Sequence, residues 1–266
     1  MVAFETVRLQ VEDGVAVLRF NRPAQFNAMN VAMLVEIERA IDQVLQDGAV
    51  RALVITGEGK AFSAGADLAA TMADPPLDGQ GQIDLAYMLR THYNPIVLKL
   101  RAAPIPVIAA VNGIAAGGAS SLALLADLTV AARSAVFVQA FVHVGLVPDC
   151  GGTWVLPRML GMQRAMGMAM LGERFDATSA QDLGLVWKVV DDEQLMPEVM
   201  KLAQRLSKAP RGALAGIKQG INASFSNDLA SQLELEGELQ GRCGRSPDFT
   251  EGCRAFVEKR APRFQD

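Results

Sequence analysis

Histidine is almost missing from the 266 residues. Only His92 and His143 are present, so a multi-histidine metal centre is excluded and a serine–histidine mechanism would have to use one of these two. Cysteine is nearly as scarce. Cys150, Cys243 and Cys253 are odd in number and contain no C-x-x-C pair, which excludes a disulfide framework and a zinc knuckle and leaves free thiols. There is no excess of positive charge: the net charge of −4 provides no field for nucleic acid or anionic lipid, and neither is expected as a partner. No apolar run is long enough to span a bilayer. The most apolar stretch, from Ile105 to Val138, is broken by Pro106, Asn112, Asp127 and Arg133. With no leader pattern at its start, the sequence is expected to be soluble and cytoplasmic.

What is present is a folded globular composition, half hydrophobic and one-fifth charged. Asp13-Gly14 between TVRLQV and VAVLRF predicts a β-hairpin. Asn30 is placed to cap a helix whose apolar positions Leu34, Ile37, Ile41, Val44 and Leu45 run at helical spacing towards Gly48. Arg51–Thr56, Pro104–Val111 and Leu128–Ala132 are predicted strands, with a helix from Ile83 to Arg101 and a polar, mobile loop at Asp74–Gln82. Strand, glycine turn, helix and strand follow one another twice, the signature of a mostly parallel α/β sheet. Beyond about residue 195 the pattern is helical, over Leu195–Lys208, Ala213–Asn222, Asp228–Gly241 and Thr250–Lys259. Residues 1–195 are therefore expected to form the core and 196–266 a helical region too thin to stand alone, which needs something to pack on, another subunit being one candidate.

Two glycine turns carry chemical interest. Lys60–Leu68 (KAFSAGADL) follows a strand, and Gly65 within it frees the amides of Ala64, Ala66 and Leu68. Asn112–Ser121 (NGIAAGGASS) again runs from strand through glycines into a helix, whose first amides favour developing negative charge. Each alone is more often packing than catalysis. Together they offer an oxyanion hole, in which one donor is worth roughly 10²–10³ in rate. Neither turn is a phosphate loop or a dinucleotide fingerprint.

Asn21-Arg-Pro23, Ala61-Phe-Ser-Ala-Gly-Ala-Asp67, Pro106–Gly113, Gly117-Gly118 with Asp127, Gly145-Leu-Val-Pro148 with Gly151-Gly-Thr153, and the tail from Phe249 to Pro262 resemble, in order and end to end, the crotonase (enoyl-CoA hydratase/isomerase) superfamily. The resemblance implies an α/β spiral of ββα units, a C-terminal helical trimerisation region, a homotrimer or hexamer, and an acyl-CoA thioester as substrate. Coenzyme A is then part of the substrate, and no separate cofactor or metal is expected. Carried over by position, the Ala66 and Gly118 amides would hold the thioester oxygen. Ala64, Ala66, Asp67, Leu68 and Phe26 would meet the coenzyme A, as would Lys259 with a neighbouring subunit's help. For Asp67, a structural hydrogen-bonding role is favoured.

The sequence departs from the hydratase pattern at both glutamates. By the same resemblance, Ser121 and Phe141 stand where the two carboxylates would be, and neither can act as both acid and base on water. Asp149 is offered instead, at the position where double-bond-shifting relatives keep their carboxylate. The stretch Ala140–Pro157 looks closest to the ring-1,2-epoxyphenylacetyl-CoA isomerase and Δ3,Δ2-enoyl-CoA isomerase branch. The competing role for Asp149 is a helix cap, and capping amides would lower its pKa where an apolar pocket of Phe137, Phe141 and Trp154 would raise it. Ser121, Phe141 and Trp154 are expected at the acyl pocket, with the loop from Thr71 to Leu89 shaping it. His143 is expected to be a packing or surface residue, and Cys150 not to act as a thiolate. An acyl-CoA isomerase is the leading expectation; a hydratase or hydrolase using Asp149, or a non-catalytic acyl-CoA binder, are the alternatives.

Overall fold

The computed structural model describes residues 4–264. Strands β1 (Val7–Glu12) and β2 (Val15–Phe20) pair antiparallel, with Glu12 opposite Val15. The two residues between them, Asp13 and Gly14, have φ of 49° and 76°, the left-handed pair that a two-residue hairpin turn requires. Helix α1 (Val31–Gln46) starts where Asn30 accepts a bond from the Met33 amide, and it buries Met33, Leu34, Ile37, Ala40, Ile41 and Val44 along one stripe.

Three successive strand pairs then build the spiral. They are β3 (Ala52–Gly57) with β4 (Ala61–Ser63), β5 (Val107–Val111) with β6 (Ile114–Ala116), and β7 (Leu128–Ala132) with β8 (Val136–Val138). The first strand of each pair joins a six-stranded sheet of order β1-β2-β3-β5-β7-β10. The second joins a four-stranded sheet of order β4-β6-β8-β9, where β9 is Arg174–Asp176 and β10 is Lys188–Val190. Every residue of β3 and β5 is buried, as expected of central parallel strands covered on both faces. The alternating βαβ pattern read from the sequence is thus split over two sheets. The second went unseen because β4, β6, β8 and β9 have only three residues each, too few to show a period.

Between the strand pairs lie α2 (Leu68–Ala73), α3 (Leu85–Met88), α4 (Asn94–Ala102), α5 (Gly118–Leu124), α6 (Gly152–Leu160), α7 (Met162–Leu171) and α8 (Ala177–Asp182). The helix expected from Ile83 to Arg101 begins at Leu85 and widens into a π turn over Leu89–Tyr93, a form that is frequent at functional sites. In place of an open loop at Asp74–Gln82, Asp78 accepts from the Gln80 and Gln82 amides and Leu77 bridges Ile83.

Helix α9 (Leu195–Ser207) lies against β3, β5 and β7 and buries Leu195, Val199 and Ala203. After it come α10 (Arg211–Ala223), α11 (Leu229–Gly244) and α12 (Pro247–Glu258), the last beginning three residues earlier than expected because Ser246 caps it. One buried ammonium ties this helical region to the core. Lys218 Nζ donates to Leu100 O at 2.9 Å, to Ile105 O at 3.4 Å and to Asp127 Oδ2 at 2.8 Å. Burial pulls its pKa below the usual lysine value even with Asp127 opposing.

Candidate active site

The two glycine turns meet at the ends of β4 and β6, which run parallel with Ser63 opposite Ala115. Gly65, at φ 89°, is pressed onto the second turn: a methyl group there would lie 2.7 Å from Ala116 O. Met29 N donates to Gly65 O at 2.8 Å and Asp67 N to Met29 O at 3.0 Å. These bonds flank Ala66 and leave its own amide facing away from Met29. On the other side Gly117, with φ 54° and ψ −130°, admits no ordinary side chain and opens α5, so that Gly118 presents a helix-start amide. Neither the Ala66 nor the Gly118 amide donates a backbone hydrogen bond among the described residues. Two donors with no partner, on adjacent strand ends, are what an oxyanion needs.

Asp149 stands beside the second donor. A methyl group on Gly118 would lie 2.7 Å from Asp149 Oδ1 and 2.9 Å from Cys150 Sγ. Cys150 and Gly151 follow with φ of 48° and 77°, and Gly152 N donates back to Asp149 O at 2.8 Å, a tight turn that aims the carboxyl at α5. The capping role is not observed. Gly151 occupies the cap position of α6 without any side-chain bond, and Asp149 Oδ1 is buried with no hydrogen-bond partner. Burial therefore prevails and raises the Asp149 pKa above the ordinary aspartate value, with the Cys150 thiol and Asp149's own amide acting more weakly in the other direction. Burial also pushes the Cys150 thiol well up, which keeps it protonated.

The family model for enoyl-CoA hydratase/isomerase matches residues 10–266. The chain belongs to the enoyl-CoA hydratase/isomerase family. It is 45% identical over 260 residues to the 1,2-epoxyphenylacetyl-CoA isomerase of Escherichia coli K12, covering 98% of both chains. It is 43% identical over 263 residues to a protein named probable enoyl-CoA hydratase in Rhodobacter capsulatus, covering 99% of both. A crystal structure of an enoyl-CoA hydratase from Polaromonas sp. JS666 superposes with a TM-score of 0.88 at 34% identity, covering 97% of this chain and 99% of that one. The two-sheet spiral with its helical C-terminal region is the fold of this family.

The structure gathers some of the residues singled out from the sequence and separates others. Phe26 and Ala64 are adjacent, because Ala64 N donates to Phe26 O at 2.9 Å, and both are exposed beside the first turn, as is Leu68. The carboxylate of Asp67 is already engaged. It caps α2 through the Ala70 amide and pairs with Arg22 at 2.9 Å, bonds that hold its pKa below the usual range despite burial. Phe141 is buried against Gly117, 3.7 Å from where a methyl would sit. Ser121 is fully buried one turn into α5.

Trp154 is turned to a different neighbourhood. Its ring lies under Arg158 at 4.1 Å and near Arg101 at 5.3 Å, edge-on to Phe225 of the helical region. His143 is a tether, its Nε2 3.1 Å from Gly172 O. Lys259 ends α12 in a left-handed conformation and is exposed. Among the described residues no group of three or more His, Cys, Asp or Glu is placed to hold a metal, and no helix is long and apolar enough to cross a membrane.

Three residues were missed by sequence reasoning. Tyr93, buried at the end of the π turn, lies within electrostatic reach of Asp149 and Asp67, and burial holds its phenol protonated. Arg22 was quoted only as part of a motif, yet it fixes Asp67. Asn27, fully buried at φ 57°, accepts from the Arg22 amide and donates to Glu58 O and Ala61 O, pinning the Phe26 loop to β4. Only Asn27, near the Asn21-Arg-Pro23 motif, left a local signal, as asparagine tolerates left-handed backbone.

Proposed function

We propose that this protein is an acyl-CoA isomerase that moves a double bond, with Asp149 as its single acid–base group. The observation that carries this is the Asp149 carboxyl itself: buried at Oδ1, bonded to no cap, and set against Gly118, whose amide is one of the two unused donors. In a 3-enoyl thioester, Asp149 takes a proton from C2. The released electron pair moves into the thioester, and the resulting dienolate oxygen lies between the Ala66 and Gly118 amides. The same carboxyl returns the proton to C4, leaving the double bond between C2 and C3, with no net change in water or electrons. Rearrangement of a ring epoxide on an aromatic acyl group is open to the same pair of donors and carboxylate, and a relative at 45% identity bears that activity in its name.

The coenzyme A runs past Phe26, Ala64, Ala66 and Leu68, with Lys259 reaching it from a neighbouring subunit. Phe141 stands at the acyl end. Free thiols suit a reducing, cytoplasmic location.

The test is ultraviolet absorbance on mixing the purified protein with a 3-enoyl-CoA, followed across pH. Conjugated 2-enoyl thioester is expected to form. Because Asp149 must be ionised to act and its pKa is raised, the rate should fall as pH drops through a value above 3.8. No conjugation of the 3-enoyl-CoA, together with loss of conjugated absorbance when a 2-enoyl-CoA is supplied instead, would favour the hydratase reading, and binding without either would favour a non-catalytic acyl-CoA binder.

We also propose a homotrimer or a hexamer made of two trimers. Ile217, Ile221, Leu229, Leu233, Phe249 and Phe256 are exposed on α10–α12, Phe256 at 85%, and a cleft of about 770 Å³ opens between these helices. Sedimentation should give three or six times the 28.4 kDa chain mass. A 28.4 kDa species at micromolar concentration would overturn the proposal.

A further inference from the structure

Three buried side-chain oxygens without hydrogen-bond partners lie around the start of α5: Ser121 Oγ, Gln139 Oε1 and Asp149 Oδ1. Ser121 and Gln139 are fully buried. The Gln139 amide is oriented by its own nitrogen, which donates to Ser120 Oγ at 3.4 Å and turns Oε1 away. Both oxygens converge over Gly152, where a methyl group would lie 2.6 Å from Ser121 Oγ and 3.6 Å from Gln139 Oε1. Asp149 Oδ1 touches the same helix three residues earlier, at Gly118. Residues three apart on a helix face have roots roughly 5–6 Å apart, a span that one molecule making two bonds of about 2.8 Å covers.

We propose that Ser121 and Gln139 hold one internal water that bonds Asp149 Oδ1. The donor and acceptor count closes. The water donates one hydrogen to Gln139 Oε1 and the other to the Asp149 carboxylate, and accepts the Ser121 hydroxyl proton, giving the two to four polar partners an internal water requires. Ser121 and Gln139 are then positioning residues that act on the carboxylate without touching substrate. The proposal rests on Asp149 being the acid–base group. Of the other titratable groups near Asp149, the Cys150 thiol and Tyr93 phenol are both kept protonated by burial and supply no competing titration.

A high-resolution crystal structure of the full chain is expected to show an ordered water within hydrogen-bond distance of all three oxygens. Ser121→Ala removes one partner, and Gln139→Leu is the second variant should the first fail to fold. Each deprives the ionised carboxylate of a bond, so the acid limb of the 3-enoyl-CoA rate profile should move up by about one pH unit, with kcat lowered near the limb and KM unchanged. Two results would overturn the proposal. One is a structure in which Ser121 Oγ and Gln139 bond each other directly with no water. The other is a Ser121→Ala variant whose KM rises while the limb stays in place, which would make Ser121 an acyl contact. Full activity in Asp149→Asn would instead sink the acid–base reading, and the crystallographic water would still decide whether the site exists.

Discussion

Asp149→Asn is expected to slow conversion of a 3-enoyl-CoA by about 10³-fold or more, near the upper part of what one general acid–base group contributes. The substitution is close to isosteric, so it leaves the contact with Gly118 and the tight turn through Cys150 and Gly151 in place. The same variant should be at least as stable as the parent at neutral pH. A carboxyl whose pKa is raised on folding adds stability below its unfolded pKa and loses that contribution as pH rises through the folded value. Burial disfavours the ionised form of the Asp149 carboxyl, and the neutral amide carries no such cost. Thermal melts should show the variant's advantage at pH 7 shrinking towards pH 4, while activity stays low throughout. A variant that keeps the parent rate would remove Asp149 from the mechanism.

Gly118→Ala should also be damaging, although it leaves the backbone donor intact. The new methyl would lie 2.7 Å from Asp149 Oδ1 and 2.9 Å from Cys150 Sγ, too close for either to stay where it is. The aspartate side chain is short, so relief of the clash moves the carboxyl off its line to the substrate. A displacement of about 1 Å costs on the order of 10²-fold, which should appear in kcat. Both substitutions act on one carboxylate, so the double variant Gly118→Ala, Asp149→Asn should be no slower than Asp149→Asn alone. Losses that simply multiply in this cycle would mean that Gly118 works through its amide and not through Asp149.

Asp149 was legible from the sequence because a motif surrounded it, and so were the glycines of both turns. Their identity is demanded by the backbone: Gly65 and Gly117 have positive φ, and Gly118 has no room for a Cβ. Helix α1 was legible because its cap and apolar stripe are local. Partners brought together only by the fold were not legible. Arg22 and Asp67 are 45 residues apart, and nothing in either neighbourhood marks the pair. Tyr93 reaches the site through a π turn, which has no sequence signature. Trp154 misled for the opposite reason: five residues from Asp149 in the chain, it leaves on the side of α6 that meets Arg158 and Phe225.

The Lys218 anchor bears on how the chain is made. Leu100 O, Ile105 O and Asp127 Oδ2 are served by an ammonium that lies 91 to 118 residues later in the chain. Synthesis proceeds from the N-terminus, so these acceptors leave the ribosome well before the group that satisfies them. Until Lys218 follows, a nascent spiral has to keep that seam hydrated. Closing that seam waits for α10, which is synthesised after every strand of both sheets.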